Sequence, residues 1–308
     1  MGRVTPPIEA VAGRIDERPS HHLEDALTRK EAKLRQTLGE LRSVIVAFSG
    51  GVDSAYLAYV ATQVLGADAL CVTADSPSYP DRHRQAALHL ASTFGFRHEI
   101  IPTAELERPE YRANEADRCY HCKHELFTHL TALAAARGIA AVVDGNNADD
   151  RGDYRPGRQA AREFGVRSPL DETDLRKAEI RELSRRAQLP VWDEPASACL
   201  SSRIPYYSEV TPEKLRIIER AESVLHRLGF RGCRVRHHGE IARLELAEDQ
   251  MALALDPEIR QSLVRELKAI GYRYISLDLQ GYRSGSLNEG LKIQKIEFRR
   301  QDTGDRTT

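Results

Sequence analysis

The apolar run Val44-Ile45-Val46-Ala47-Phe48 passes straight into Ser49-Gly50-Gly51-Val52-Asp53-Ser54, and then into Ala55-Tyr56-Leu57-Ala58-Tyr59-Val60. This order predicts a buried parallel strand, a tight glycine turn and the first turns of a helix. Adjacent glycines let the backbone take left-handed angles and approach a ligand closely. The new helix aims unpaired N–H groups and the positive end of its dipole at the same place. Such a turn suits a phosphate. It lacks the Gly-Lys-Ser/Thr ending and spacing of a Walker A loop, and it is not Gly-x-Gly-x-x-Gly.

The strand pattern recurs along the chain. Residues 69–74 and 140–143 are short apolar runs and residues 97–102 look extended, while 81–94 and 123–137 carry helical spacing. Strands separated by helices of this length argue for a parallel sheet covered on both faces, with ligands beyond the carboxyl ends of the strands. Leu27, Leu34, Leu38 and Leu41 mark an amphipathic helix that leads into the first strand. The texture changes near residue 205. Thr211-Pro212 starts a helix, two strand-like runs flank Gly239-Glu240, and a helix over 256–270 leads to a strand over 272–279. The expected organisation is a tail over 1–22, an α/β domain over 23–205, a small α+β domain over 206–298 with the order α-β-β-α-β, and a polar tail over 299–308.

Composition limits the partners. A length of 308 residues allows about two domains. A net charge of -1 argues against a globally basic surface for nucleic acid, so any anion site must be local. No apolar run reaches the ~18 residues of a membrane span. The N-terminus carries prolines and acids where a signal peptide needs an apolar core, so a cytoplasmic location is expected. Five cysteines without a secretory signal point to reduced thiols, metal or sulfur chemistry rather than a disulfide scaffold.

Three of those cysteines stand in charged settings, in Arg118-Cys119-Tyr120-His121-Cys122-Lys123 and in Ala198-Cys199-Leu200-Ser201-Ser202-Arg203. Three thiolates suit an iron–sulfur cluster in which one iron has no protein ligand. Zinc completed by His121 or His124, and thiols with separate roles, are the other readings. Arg118, Lys123 and Arg203 would favour thiolate over thiol. Cys71 and Cys233 belong to apolar strands and read as core. Residues 144–150, Asp-Gly-Asn-Asn-Ala-Asp-Asp, precede Arg151, Asp153, Arg155 and Arg158, a mixture suited to a nucleotide with its Mg²⁺. Asp53, inside the phosphate loop, would either hold Mg²⁺ or fix the loop through backbone N–H groups. Strand periodicity puts Arg234 and Arg236 on one face, where two guanidinium forks could grip a phosphomonoester.

The loop over 49–54 resembles the PP-loop of the ATP pyrophosphatases. Together with residues 118–123, 144–150, Ser168-Pro169-Leu170, 195–206, 234–239 and 277–289, in that order, it resembles the ATP-dependent sacrificial sulfur transferases of the LarE type. The likeness covers about residues 25 to 295. It implies an adenine nucleotide α-hydrolase-like fold and a role in making the nickel-pincer nucleotide of lactate racemase. A pyridinium mononucleotide with two carboxylates would be adenylated by ATP with loss of pyrophosphate, and sulfur would then displace AMP.

The site residues it implies are Ser49, Gly50, Gly51, Asp53, Ser54 and Asp149 for ATP, with Arg234 and Arg236 for the substrate phosphate. Cys199, Asp53 and Arg203 would serve catalysis. Single-cysteine members surrender the sulfur of the residue matching Cys199. This chain departs from them by carrying Cys119 and Cys122 as well, which implies a [4Fe-4S] cluster held by Cys119, Cys122 and Cys199, fed by a sulfide donor. A homo-oligomer is also implied. The competing readings are a PP-loop tRNA thiolase with a three-cysteine cluster, a single-turnover sacrificial-cysteine sulfur donor, an amide-forming synthetase, and a non-catalytic ATP-binding module.

Overall fold

The computed structural model describes residues 18–152, 156–195, 198–283 and 286–288. The terminal tails up to residue 17 and from 299 onward lie outside these residues, as do Asp153, Arg155, Ala196, Ser197 and parts of the stretch 277–289. In chain order the first unit comprises α1 (Arg18–Leu41), β1 (Val44–Ala47), α2 (Val52–Leu65), β2 (Ala69–Asp75), α3 (Asp81–Phe94), β3 (Arg97–Pro102), α4 (Pro109–Arg112), α5 (Arg118–Arg137) and β4 (Ala141–Val143). It continues with α6 (Pro156–Glu163), α7 (Pro169–Glu172) and α8 (Lys177–Arg186).

The four strands pair in parallel in the order β3-β2-β1-β4. Both faces of this sheet are covered, which is why its strands read as unbroken apolar runs. Side chains alternate across the pleat. Val44, Val46, Ala69 and Cys71 therefore pack with α1, α2, α3 and α8. Ile45, Leu70, Val72 and Val142 pack with Phe127 and Leu130 of α5 and with Ala160 and Ala161 of α6. Leu27, Leu34 and Leu38 of α1 are buried in the first of these cores, as their spacing requires.

Three features differ from the sequence reading. Helix α1 starts at Arg18, inside the stretch read as tail. Helix α5 begins at Arg118, so Cys119 and Cys122 lie one turn apart on a helix. Residues 156–186, given no elements from sequence, hold three helices, and Val143 forms a parallel bridge with Arg167.

The second unit comprises α9 (Pro212–Arg227), β5 (Arg234–His238), β6 (Ile241–Glu245), α10 (Met251–Leu255), α11 (Pro257–Ile270) and β7 (Tyr274–Leu277). Thr211 caps α9 by accepting the Lys214 N–H at 3.3 Å, and Asp256 caps α11 by accepting from Glu258 and Ile259. Strands β5 and β6 form the expected antiparallel hairpin, and β7 joins β6 in parallel. Val235, Ala242 and Leu244 face the core made with α9 and α11. Among the described residues no helix is long and apolar enough to cross a membrane.

Gly50 has φ +71°, and a Cβ there would stand 3.2 Å from the Ala87 Cβ of α3. Gly50→Ala should cost about 1–2 kcal/mol from the left-handed backbone alone, measured as a lower urea midpoint with an unchanged slope.

Candidate active site

The loop between β1 and α2 sits at the carboxyl end of the sheet and is tied into shape by its own serines. Ser54 Oγ accepts the Ser49 N–H at 3.2 Å, lies 3.1 Å from Ser49 Oγ, and donates to the Gly51 carbonyl at 3.0 Å. Gly51 ends in extended geometry, so α2 begins with its first N–H groups turned into the loop. Gly145, after β4, backs directly onto that helix start, because a Cβ there would lie 3.0 Å from Ser54 N. This close approach requires glycine.

Asp53 does not stand alone against phosphate. Lys177, at the first position of α8, pairs with Asp53 Oδ2, and Asn147 Nδ2 donates to Oδ1 at 3.4 Å. Sequence reasoning misses Lys177, since 124 residues separate it from Asp53 and no local pattern marks it. Asp149 accepts the Lys177 backbone N–H at 2.9 Å, so its carboxylate fixes the start of α8 beside the phosphate loop. Asp144 is buried, and that burial holds its carboxyl above the ordinary range while Ser168 Oγ donates to it at 2.7 Å. Arg151 pairs with Asp171 and Asp174, and Arg158 with Asp171, so these arginines brace their own loop.

The two cysteine motifs are joined although the chain separates them widely, since Arg118 of the first donates to the Ser201 carbonyl of the second at 3.0 Å. Burial pushes the Cys122 thiol up, and Glu105, Cys199 and Cys119 add to the effect against the pull of Lys123. The three thiols thus lie within electrostatic reach of one another. At Cys122 burial outweighs the pull of its lysine neighbour. Arg118 is buried, donates to Asn114 Oδ1 and to the Ser201 carbonyl at 3.0 Å, and forms no ion pair with a carboxylate among the described residues. Cys199 and Cys119 lead the groups whose negative charge would offset it. Tyr111 OH lies 2.7 Å from Ser201 Oγ, and Asn114 donates to the carbonyls of Pro205 and Ser208, which fastens the segment after Cys199. Cys71 and Cys233 are buried, with thiols pushed up to about 12 chiefly by burial, as their core reading requires.

Two arginines read as functional have structural duties. Arg203 bonds to Glu222 at 2.8 and 3.1 Å and to the carbonyls of Ala198 and Cys199, so it positions the thiol turn at the wall of the cavity described below. Arg236 makes a two-pronged pair with the buried Glu245 at 2.9 Å and also holds the Ser202 carbonyl. The two arginines of the expected twin fork thus differ in their surroundings. Arg234 meets Tyr282, through its hydroxyl at 3.0 Å and its ring at 4.5 Å, and faces a cavity of about 740 Å³. That cavity lies between the start of α3, the thiol turn, α9 and β5, with His83, Ala198, Leu200 and Cys233 in its wall.

A family model described as NAD synthase matches residues 26–128. The chain is 46% identical over 265 residues to an uncharacterised protein of Synechocystis sp., covering 86% of this chain and 99% of that one. It is 38% identical over 274 residues to the pyridinium-3,5-bisthiocarboxylic acid mononucleotide synthase of Lactiplantibacillus plantarum, covering 88% and 99%. Identity to an uncharacterised protein of Methanocaldococcus jannaschii is 27% over 259 residues, covering 83% and 98%.

His83 carries a pH signature. Burial first, then Arg203 and Arg82, push its imidazole down to about 4 from 6.5. The unfolded chain takes up this proton near pH 6.5 and the folded chain only near 4, so stability is full above pH 6.5 and falls as pH drops through that window. His83→Gln should remove about 1–2 kcal/mol of the loss between pH 7 and pH 5, seen in urea melts at the two values.

Proposed function

Because the chain belongs to the family of the pyridinium-3,5-bisthiocarboxylic acid mononucleotide synthases, we propose that it is an ATP-dependent sulfur transferase. Its substrate is a pyridinium mononucleotide whose two carboxylates become thiocarboxylates. The observation that carries this reading is that the Cys199 turn bonds to the loop after β2 and to Arg118 beside Cys119, beyond the same strand ends as the phosphate loop after β1.

The chemistry divides between the two halves of the site. A substrate carboxylate oxygen attacks the α-phosphorus of ATP, forming an acyl adenylate and releasing pyrophosphate. The loop over 49–54 and the α2 dipole receive the departing charge, with Lys177 beside them. Mg²⁺ takes one or two carboxylates besides phosphate oxygens and water, and Asp53 fits that demand at the loop. A sulfur nucleophile then attacks the acyl carbon, AMP leaves, and a thiocarboxylate remains. Arg234 and the cavity beside the thiol turn are the proposed seat of the mononucleotide phosphate.

The chemistry of Cys119, Cys122 and Cys199 as three soft thiolate donors suits an iron–sulfur group. Two of these thiols, Cys119 and Cys199, lie within electrostatic reach of the buried Arg118, whose charge an anionic sulfur site would offset. Bound by Cys119, Cys122 and Cys199, a [4Fe-4S] group would supply sulfide from an iron with no protein ligand. Arg203 and Arg236 hold the carbonyls on either side of that turn and so orient Cys199.

Protein purified without oxygen should contain about four iron and four acid-labile sulfide per chain. Cys119→Ala, Cys122→Ala and Cys199→Ala should each abolish thiocarboxylate formation and leave ATP binding in place, read by product mass and by calorimetry. Loss with Cys199→Ala alone, together with a protein lighter by one sulfur after turnover, would replace the cluster with a sacrificial cysteine. Asp53→Ala should instead slow pyrophosphate release and keep the iron.

A further inference from the structure

The short loop after β2 reaches both halves of the site. Glu105, 3% exposed, accepts hydrogen bonds from Ser76 Oγ and, at 2.8 Å, from Ser78 Oγ. The two hydroxyls are 2.9 Å apart, and Ser78 N–H donates to Ser76 Oγ at 3.2 Å. One carboxylate oxygen therefore gathers residues 76–78 into a fixed turn. Two arms leave it. The Ser78 carbonyl accepts the N–H of Leu200, the residue after Cys199, at 2.8 Å. The Tyr79 hydroxyl donates to the carbonyl of Ser49, the first residue of the phosphate loop, at 3.0 Å.

The hydrogen bonds of the Glu105 carboxylate run to two hydroxyls rather than to a lysine or arginine among the described residues. A buried carboxylate without a cation is costly to keep, and a leucine would fill an ordinary core position at less cost. What the carboxylate provides is one acceptor for two hydroxyls of the loop after β2. The loop it holds touches the nucleotide end through Tyr79 and the sulfur end through Ser78.

We propose that residues 76–79, anchored by Glu105, are a strut that holds the Cys199 turn at a set distance from the phosphate loop, so that the activated carbon and the attacking sulfur meet. Glu105 and Tyr79 are then positioning residues for the transfer step. This rests on the function proposed above. Reacting centres displaced by about 1 Å lose roughly a hundredfold in rate, which gives such a strut a large lever.

The test uses the full chain. In Glu105→Ala, backbone hydrogen exchange should quicken several-fold in peptides covering 48–54 and 199–203. Glu105→Gln, which still accepts both serine bonds, should stay near wild type. Faster exchange confined to the loop over 76–79, with both distant loops at wild-type rates, overturns the strut. Should Glu105→Ala fail to fold, Ser78→Ala and Tyr79→Phe carry the same comparison.

Tyr79→Phe cuts only the arm to Ser49, and should lower sulfur transfer about tenfold while pyrophosphate release falls less than about threefold. Equal losses in both steps, or none in either, overturn the proposal. A wild-type protein that released no pyrophosphate with a pyridinium dicarboxylate mononucleotide would sink the proposed function. The exchange comparison, which needs neither ATP nor substrate, would still decide the strut.

Discussion

Glu222, buried on α9, accepts the Arg203 guanidinium on both oxygens and also takes the backbone N–H of Val235 at the start of the small sheet. Its counterpart is Glu245, fully buried on β6, which holds Arg236 while that arginine reaches the Ser202 carbonyl. Between them these pairs grip the turn over 198–203 from both sides. The second sheet is thereby joined to the chemistry of the first. Buried pairs of this kind repay their desolvation poorly, so their value here is to specify where the turn stands, and losing one partner would leave a charge stranded in the interior.

Charge elsewhere in the site is divided by the same logic. At the phosphate loop the negative Asp53 has Lys177, and the surrounding helix ends are positive, so the region can receive phosphate without a net repulsion. At the thiols the balance is reversed. Arg118 is a buried cation held by the Asn114 amide oxygen and the Ser201 carbonyl rather than by a carboxylate among the described residues. The loop after β2 lies between these two regions and bonds to both.

Much of the fold was legible in the sequence because it is encoded over short distances. The alternation of Val44, Ile45 and Val46 assigns each to one face of a covered sheet, and the bounds of α3 and β3 follow from periodicity alone. Thr211-Pro212 and Asp256-Pro257 announce helix starts through bonds made within three residues. Helices α6 to α8 were not legible, since α7 is only four residues long and the whole stretch is rich in charge.

The sequence by itself determined the glycine turn, the parallel sheet, the small second unit and the three cysteines set among charges, because each is a local pattern of residue types and spacing. Only the tertiary structure decided which charges are spent and which remain to act. Arg234 and Arg236 look alike in the chain, yet β6 presents Glu245 to one, while the other looks onto Tyr282 and a cavity. Lys177 and Glu105 carry no local mark of function at all. Their partners lie far away in sequence, and a side chain's role in a buried site depends on the charge that folding places beside it.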